Sequence, residues 1–377
     1  MQTQAWVLSI LDTFHRHGYE AVLVGGCVRD SLLGKTPADY DIATSAATSE
    51  IEALFEKTAR IGQFGTVCVI LPEGCAEVTP FRTEGKYEDF RHPAAVHFGA
   101  TLAEDLKRRD FTVNALCFDG RRIIDLCGGA QDLHNRIIRA VGDPAERFEE
   151  DPLRILRAFR FAAMLGFTIE DATRQAALEK AALLRFVSAE RIGAELGRLM
   201  TADAPEKGME IFGRLPIETD EPLPQVSVCD LAPQEALRWA GYFYRCGRSA
   251  DQAEAFLRSI KRPGAVYKTV RNVLTGCEKT LDAPHLLACY GAENARRIAQ
   301  ISAPDQLAEL DRLLGSGACY KREMLALNGH DLLSLGVSKE NMKSVIGAML
   351  RFVLENPTEN TKESLLRFVK EMQDETE

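Results

Sequence analysis

The sequence has no long apolar run, and no segment approaches the ~18 residues that a membrane-spanning helix needs. Its first twenty residues contain Asp12 and Glu20 and lack the basic start and apolar stretch of a signal peptide. We therefore expect a cytoplasmic protein that has no contact with a membrane. The chain of 377 residues is long enough for two or more domains.

Closely paired cysteines are also missing, because the ten cysteines are scattered and none forms a CxxC pair. A structural zinc site needs such pairs, so we expect small, buried, apolar cysteines instead. An excess of positive charge is missing too. The net charge of −9 argues mildly against a general nucleic-acid binder, although phosphate contacts depend on local basic patches.

Hydrophobic periodicity divides the chain into a mixed part and a helical part. Before residue 140 we predict a helix at 5–17 and strands at 21–24, 39–43, 66–71, 76–81 and 122–125. A capping pattern predicts a further helix from Ser49 to about Lys57. After Phe148, helix spacing predominates at 152–165, 170–180, 189–199, 233–244, 250–260, 266–274, 292–301 and 339–354. A segment rich in proline and acids, 215–233, is the expected joint between two helical parts.

Two aspartates lie two residues apart in the predicted strand 39–43. Residues at i and i+2 of a strand point to the same face, so Asp39 and Asp41 project together. Adjacent carboxylates repel each other unless a proton or cation lies between them, and Mg²⁺ with a nucleoside triphosphate is a common solution. The alternative is a polar edge strand with solvated acids, which is the commoner meaning of an isolated DxD.

A glycine pair stands between a predicted strand and a predicted helix, about ten residues before the aspartates. Gly25 and Gly26 would let backbone N–H groups approach a phosphate, and Arg29 could pair with a triphosphate oxygen. Glu77, an acid between apolar neighbours, is the candidate for a third catalytic carboxylate. An ordinary strand–helix turn and a solvent-facing edge strand are the respective alternatives, but together these features predict neighbouring triphosphate and metal sites.

With these motifs the sequence resembles the class II tRNA nucleotidyltransferase and bacterial poly(A) polymerase family over nearly its whole length. The matching stretches are GGCVRD (25–30), DYDIAT (39–44), RRDFTVNA (108–115), DLCGGAQDL (125–133), EEDPLRILRAFRF (149–161) and NGHDL (328–332). The resemblance implies an α+β fold, with an N-terminal polymerase beta-like nucleotidyltransferase head and an elongated helical neck, body and tail. We place the head at 1–140, the neck at 141–204, the body at 205–275 and the tail, which would bind tRNA, at 276–377.

The resemblance also implies that residues 150–154 act as a protein template for the base. If Asp151 and Arg154 share a helix face, they offer an acceptor beside a donor. Cytosine and adenine each present an amino donor beside a ring-nitrogen acceptor, whereas uracil and guanine present the reverse. In the family, the residue at Glu150 holds the arginine. The alternative, a helix start with favourable acids, does not account for the arginines that follow.

Arginines recur every three residues in this segment, at Arg154, Arg157 and Arg160. A solvated charged face is the usual meaning of such a row. The resemblance implies instead that the row contacts base, ribose and triphosphate, together with Arg109 of the head.

Residues 82–98 are polar and predict a loop that resembles one in CCA-adding members, including its Asp89-Phe90-Arg91 element. This favours addition of CCA to the 3′ acceptor end of tRNA, with CTP and ATP as substrates. His330-Asp331 resembles a phosphohydrolase dipeptide, but only seven histidines are present, so we expect a helix boundary there instead.

Three other functions remain open at this point: an A-adding enzyme or poly(A) polymerase, a non-catalytic protein that binds RNA or nucleotides, and a structural helical protein. The presence of both aspartates argues against the second, and residues 150–154 argue against the third. The oligomeric state is not determined by the sequence, and a homodimer through the helical C-terminal region is one possibility.

Overall fold

A computed structural model describes residues 3–62, 65–85, 96–217 and 222–374 of the chain. They form two compact units, Met1–Gln225 and Val226–Glu377. Within the described residues, no helix is long and apolar enough to span a bilayer. The division into head, neck, body and tail within these units stays a prediction.

The first unit combines strands and helices. Its strands are β1 (Ala21–Val24), β2 (Asp41–Thr44), β3 (Thr58–Ile61), β4 (Thr66–Leu71), β5 (Gly74–Pro80), β6 (Arg82–Glu84), β7 (Val96–Phe98), β8 (Leu116–Phe118), β9 (Ile123–Asp125), β10 (Ile137–Ile138) and β11 (Thr168–Ile169). Its α-helices are α1 (Ala5–Arg16), α2 (Gly26–Leu32), α3 (Thr48–Leu54), α4 (Leu102–Lys107), α5 (Gly129–Asn135), α6 (Pro144–Glu150), α7 (Leu153–Leu165), α8 (Asp171–Glu179) and α9 (Ala189–Met200).

The main sheet of the described residues has the strand order β3-β4-β5-β2-β1-β8-β9. Strands β2 and β5 run parallel and the other neighbours run antiparallel. All four residues of β1 are buried, which explains why this strand is apolar throughout and lies near the middle of the sheet. The parallel register of β2 and β5 places Asp41 beside Glu77.

Helix α7 follows the segment 141–152 and is buried along most of its length. Its apolar residues Ile155, Leu156 and Phe159 are at most 1% exposed. Gly166, with φ of +68°, ends the helix in the left-handed conformation that glycine adopts without steric cost. The buried face fixes the rotation of α7, and therefore fixes the direction of each of its arginines.

The start of α5 comes very close to the backbone of the short 3₁₀-helix Thr112–Asn114. A Cβ atom on Gly129 would lie 2.1 Å from the carbonyl oxygen of Thr112, so no side chain fits there without a backbone shift. We expect Gly129→Ala to destabilise the first unit by about 3 kcal/mol or more. Thermal unfolding measures this change. Gly213→Ala is the control, because its Cβ would make an ordinary 3.6 Å contact. Equal melting temperatures of the two variants would contradict the close approach.

The second unit contains helices, and no strands, among its described residues. Its α-helices are α10 (Glu235–Arg245), α11 (Ala250–Ser259), α12 (Gly264–Cys277), α13 (Ala283–Ser302), α14 (Leu307–Gly315), α15 (Gly329–Ser334), α16 (Met342–Glu355) and α17 (Lys362–Asp374). Trp239, Tyr242 and Phe243 of α10 form a cluster of ring contacts that also includes Phe256. A separate core around Leu332, Met349 and Val369 joins α15, α16 and α17.

The α+β head and the helical remainder are confirmed, as are most predicted elements. The prediction that residues 82–98 form a continuous loop was wrong, because β6 and β7 pair with each other at the two ends of this segment. Its Asp89-Phe90-Arg91 element lies outside the described residues. The helix expected to reach Lys57 ends at Leu54, since residues 58–61 form a strand with β4. His330 and Asp331 lie in the first turn of α15, where Asn328 caps their backbone N–H groups.

The expectation that the cysteines are buried is confirmed for only some of them. Cys27, Cys117 and Cys319 are buried, but Cys75, Cys229 and Cys289 are exposed. Single exposed thiols are compatible with the fold because packing does not depend on them.

Candidate active site

Two acidic residues lie at matching positions of neighbouring strands where β2 begins, and a third lies just before β2. Asp41 is the first residue of β2 and lies beside Glu77 of β5, while Asp39 lies in the bend before the strand. The prediction that both aspartates belong to one strand was therefore wrong, since the β2 ladder starts only at Asp41. They are nevertheless close enough to repel: burial, then the charges of Asp39 and Glu77, raise the pKa of Asp41 to about 6.

The donor set of this cluster fits a divalent cation. Carboxylate oxygens are the ligands that such hard cations prefer, and the mutual repulsion at Asp41 is what a cation would relieve. In the part of the chain that the structure describes, no group of three or more His, Cys, Asp or Glu side chains is placed so that it could hold a metal ion. Mg²⁺ does not need such a group, because it is usually held by one or two carboxylates together with substrate phosphates and water.

The glycine turn lies directly beside these acids. Gly25 has φ of +83°, which an L-side chain rarely adopts. A Cβ atom built on it would be 3.6 Å from Nη1 of Arg109 and 4.0 Å from Oδ2 of Asp41. Gly26 begins α2, and its Cβ position would be 3.6 Å from Nη2 of Arg29. The fold thus brings the turn, both arginines and Asp41 into one place.

The two arginines of the head differ in how they are held. Arg29 is 6% exposed; its Nη1 donates to Asn114 at 2.6 Å and its Nε donates to Asp30 at 2.8 Å. Arg109 forms an ion pair with Asp105, with 3.1 Å between Nη2 and Oδ2. Its Nε is buried and has no hydrogen-bond partner among the described residues. An unsatisfied buried donor beside a glycine turn and a carboxylate is suited to an anionic ligand.

Residues 150–154 connect α6 to α7. Nη1 of Arg154 donates to Oε2 of Glu150 at 2.8 Å, and its Nη2 donates to the backbone carbonyl of Arg108 at 2.8 Å. A further contact joins Nη1 to the carbonyl of Arg147 at 3.4 Å. A guanidinium has five N–H groups, so two have no partner among the described residues. Arg154 is therefore fixed in place and still able to donate.

Asp151 does not belong to a helix shared with Arg154, so that expectation was wrong. It is the extended C-cap of α6, because a residue before proline disfavours the helical conformation. Its partner is Arg191 of α9, with 3.3 Å between Nη2 and Oδ2. Asp151 and Arg154 are thus held by different groups. Arg191 was missed in the sequence because it lies 40 residues from its partner.

The arginines of α7 have different acidic partners in the structure. Arg157 donates twice to Oδ2 of Asp110, at 2.8 and 2.6 Å, whereas Arg160 pairs with Glu195 of α9 and is 4% exposed. A step of three residues turns a helix by about 300°, so Arg154 and Arg160 point about 120° apart. Regular spacing in the sequence could not show this separation of partners.

Asp110 links Arg157 to the head. Burial alone would raise its pKa, but the positive charge of Arg157 and hydrogen bonds from Asn114 and Arg157 lower the pKa to about 2. Nδ2 of Asn114 donates to Asp110 at 3.1 Å, and Oδ1 of the same residue accepts from Arg29. A continuous network therefore joins Arg29, Asn114, Asp110 and Arg157. Asp110 and Asn114 were part of a recognised motif but had been given no role.

The lowered pKa of Asp110 makes stability depend on acid pH. Because the pKa of Asp110 in the fold lies below its ordinary value of 3.8, its ion pair stabilises the fold above pH ~4, and this stabilisation is lost as pH falls through about 2. We expect Asp110→Asn to lower the free energy of unfolding at pH 7 by roughly 2–4 kcal/mol. Urea unfolding at pH 7 and pH 2.5 measures the difference, which should shrink at the lower pH. An undiminished difference would contradict the ion-pair explanation.

Comparison with known proteins gives two family matches within this chain. Residues 21–139 match the family described as the Poly A polymerase head domain, and residues 166–212 match the probable RNA and SrmB-binding site of polymerase A. The CCA-adding enzyme of Geobacillus sp. (strain WCH70) is 36% identical over 95% of this chain and 94% of its own. That of Enterococcus faecalis is 35% identical over 98% and 96%.

Among solved structures, the Bacillus stearothermophilus CCA-adding enzyme in complex with CTP superimposes with a TM-score of 0.82. It is 31% identical in sequence, and the match covers 98% of both chains. The similarity is therefore not limited to the head. The chain belongs to the family of CCA-adding enzymes, which are nucleotidyltransferases with a poly(A) polymerase head domain.

Proposed function

We infer that this chain adds C, C and A to the 3′ end of tRNA without a nucleic-acid template, using CTP and ATP and releasing pyrophosphate. The similarity to CCA-adding enzymes over nearly the full length of both chains supports this activity. The single structural observation that supports it most is the carboxylate cluster at Asp41 beside the glycine turn and Arg109. A cation would relieve the repulsion between these carboxylates, and a phosphate would bind beside it.

Asp39 and Asp41 would hold a divalent cation, which we propose is Mg²⁺, with Glu77 assisting. When bound, it supplies charge stabilisation to the reacting phosphate and to the attacking oxygen. In the reaction the RNA 3′-oxygen forms a bond to the α-phosphorus, and the bond from that phosphorus to the pyrophosphate oxygen breaks. Gly25 and Gly26 leave room for the triphosphate, and Arg29, Arg109 and Arg157 offset its negative charge.

Base selection rests on the groups at 150–154. Arg154, held by Glu150, would donate to the ring nitrogen of cytosine or adenine, and Asp151 would accept from the amino group. Uracil and guanine would place a carbonyl opposite Asp151 and an N–H opposite Arg154, which leaves both groups unpaired. Arg160, which is paired with Glu195, would act from behind this site rather than on the base.

We propose that the enzyme acts in the cytoplasm, where tRNA, CTP and ATP occur together. The acceptor end of tRNA would enter the head, and helices of the neck, body and tail would grip the rest of the acceptor arm by its shape. A homodimer through the C-terminal helices is part of the same proposal. Sedimentation of the full chain at several concentrations tests the dimer.

The decisive experiment extends a tRNA transcript that lacks its 3′ CCA, with Mg²⁺ and each nucleotide alone and in combination. We expect incorporation of C, C and A followed by a stop, and no incorporation of U or G. Extension by A alone would assign the chain to an A-adding enzyme or poly(A) polymerase. Absence of incorporation on any RNA would favour a binding protein on the same fold.

A further inference from the structure

Phe161, one residue beyond the last arginine of the α7 row, is surrounded by cations. Its ring is 6% exposed, and the Cζ atoms of Arg29, Arg157 and Arg160 lie 5.2, 5.2 and 4.0 Å from its centroid. Phe111 meets the ring edge-on, with 5.8 Å between centroids. Cation–π contacts within about 6 Å occur roughly once per 70–80 residues, so three on one ring require an explanation beyond packing.

Each of the three guanidinium groups also has a polar anchor. Arg29 donates to Asp30 and Asn114, Arg157 donates to Asp110, and Arg160 pairs with Glu195. The anchor of Arg157 is a single oxygen of Asp110, which leaves the plane of its guanidinium free to tilt, whereas Arg29 is held along two edges by Asp30 and Asn114. The negative electrostatic potential of the ring face favours one orientation of each guanidinium against it. Phe161 therefore supplies a further constraint on each group.

The ring also reduces a repulsion. Arg29 comes from α2 of the sheet region and Arg157 from α7, yet both approach the same ring. Two like charges brought close together repel, and the ring quadrupole offers each an attractive partner without adding a negative charge that would compete with a phosphate. An acidic residue at this position would attract the arginines equally well but would repel the substrate.

We propose that Phe161 is a positioning residue for the incoming nucleotide, which holds the guanidinium groups of Arg29 and Arg157 in the orientation that binds the triphosphate. It touches no reacting atom and acts only through these arginines. This inference rests on the proposed function, since Arg29 and Arg157 are assigned there to the nucleotide.

Replacement of Phe161 by phenylalanines with one, two, three and five ring fluorines tests the electrostatic part of the proposal. Fluorination withdraws electron density from the ring face with little change of shape. We expect KM for CTP to rise steadily with fluorine number, to about 10-fold for the pentafluoro ring, while KM for tRNA stays unchanged. Phe161→Leu should raise KM for CTP at least as much, and Phe161→Tyr should stay within about 3-fold of the parent.

The same fluorinated series at Phe159 is the matched control, because Phe159 is 0% exposed and lies on the same helix. Fluorination there should leave KM for CTP unchanged. A flat response at Phe161, or an equal rise at Phe159, would overturn the inference while the parent enzyme still adds CCA. If the parent enzyme itself fails to add CCA, the proposed function fails instead, so the two failures are distinguishable.

Discussion

Nucleotide addition is lost when Asp41 becomes asparagine, with an expected fall in kcat of at least about 1000-fold. The carboxylate would be a ligand of the cation, and metal charge stabilisation of the reacting phosphate contributes several kcal/mol to such reactions. Single-nucleotide incorporation under saturating CTP measures the change. Glu73→Gln is the control, because it removes a negative charge from the exposed turn between β4 and β5 and should leave kcat unchanged.

The same substitution should make the protein more stable, and this outcome separates loss of function from misfolding. The fold raises the pKa of Asp41 from its ordinary value of 3.8 to about 6, so the ionised form of Asp41 destabilises the native state above pH ~4. At pH 8 we expect Asp41→Asn to raise the free energy of unfolding by up to about 3 kcal/mol. The variant should therefore have a higher melting temperature than the parent protein. This gain in the free energy of unfolding should vanish below pH ~4, where Asp41 of the parent protein is protonated in both the folded and the unfolded state.

Added Mg²⁺ gives a third readout of the same site. It should raise the melting temperature of the parent protein at pH 8 and have little effect on Asp41→Asn, because binding to the native state alone stabilises it. An inactive variant with reduced stability would instead indicate general damage to the sheet. An active variant would remove Asp41 from the cation site.

Arg154→Ala is expected to abolish the choice between bases as well as to slow addition. Discrimination between CTP and UTP, expressed as the ratio of kcat/KM values, should fall by about 100-fold or more, because a site built to hydrogen-bond one base rejects another by leaving buried groups unpaired. The substitution also leaves Glu150 without one of its partners; Arg147 would still pair with it. Primer extension with each nucleotide singly measures the ratio.

Arg174→Ala is the matched control for this prediction. Arg174 forms an ion pair with Glu210 and its side chain is 47% exposed, so its loss should change neither kcat/KM nor base choice. Arg154→Lys keeps the charge but not the planar fork of donors and should resemble Arg154→Ala. Undiminished rejection of UTP in Arg154→Ala would place base recognition elsewhere in the site.

Local spacing in the sequence predicted the elements and residues whose geometry depends only on neighbours. The apolar run at 21–24 became the buried strand β1, and helix periods after Phe148 became α7 to α12 with small shifts at their ends. The motif acids and glycines were predicted from the sequence because cation and phosphate chemistry restricts the residue types that can serve it. Where the backbone departed from regular structure, at Asp39 and before Pro152, extrapolation from strand and helix periods failed.

What only the tertiary structure decided is which side chains meet. Arg29 reaches Asn114 across 85 residues, Arg157 reaches Asp110 across 47, and Asp151 reaches Arg191 across 40. Spacing along a helix fixes the direction of a side chain relative to its own axis, but the partner depends on how sheet and helices pack. The sequence by itself therefore determined the chemistry available to this protein, and the fold determined which acid each arginine pairs with and which ring three of the arginines approach.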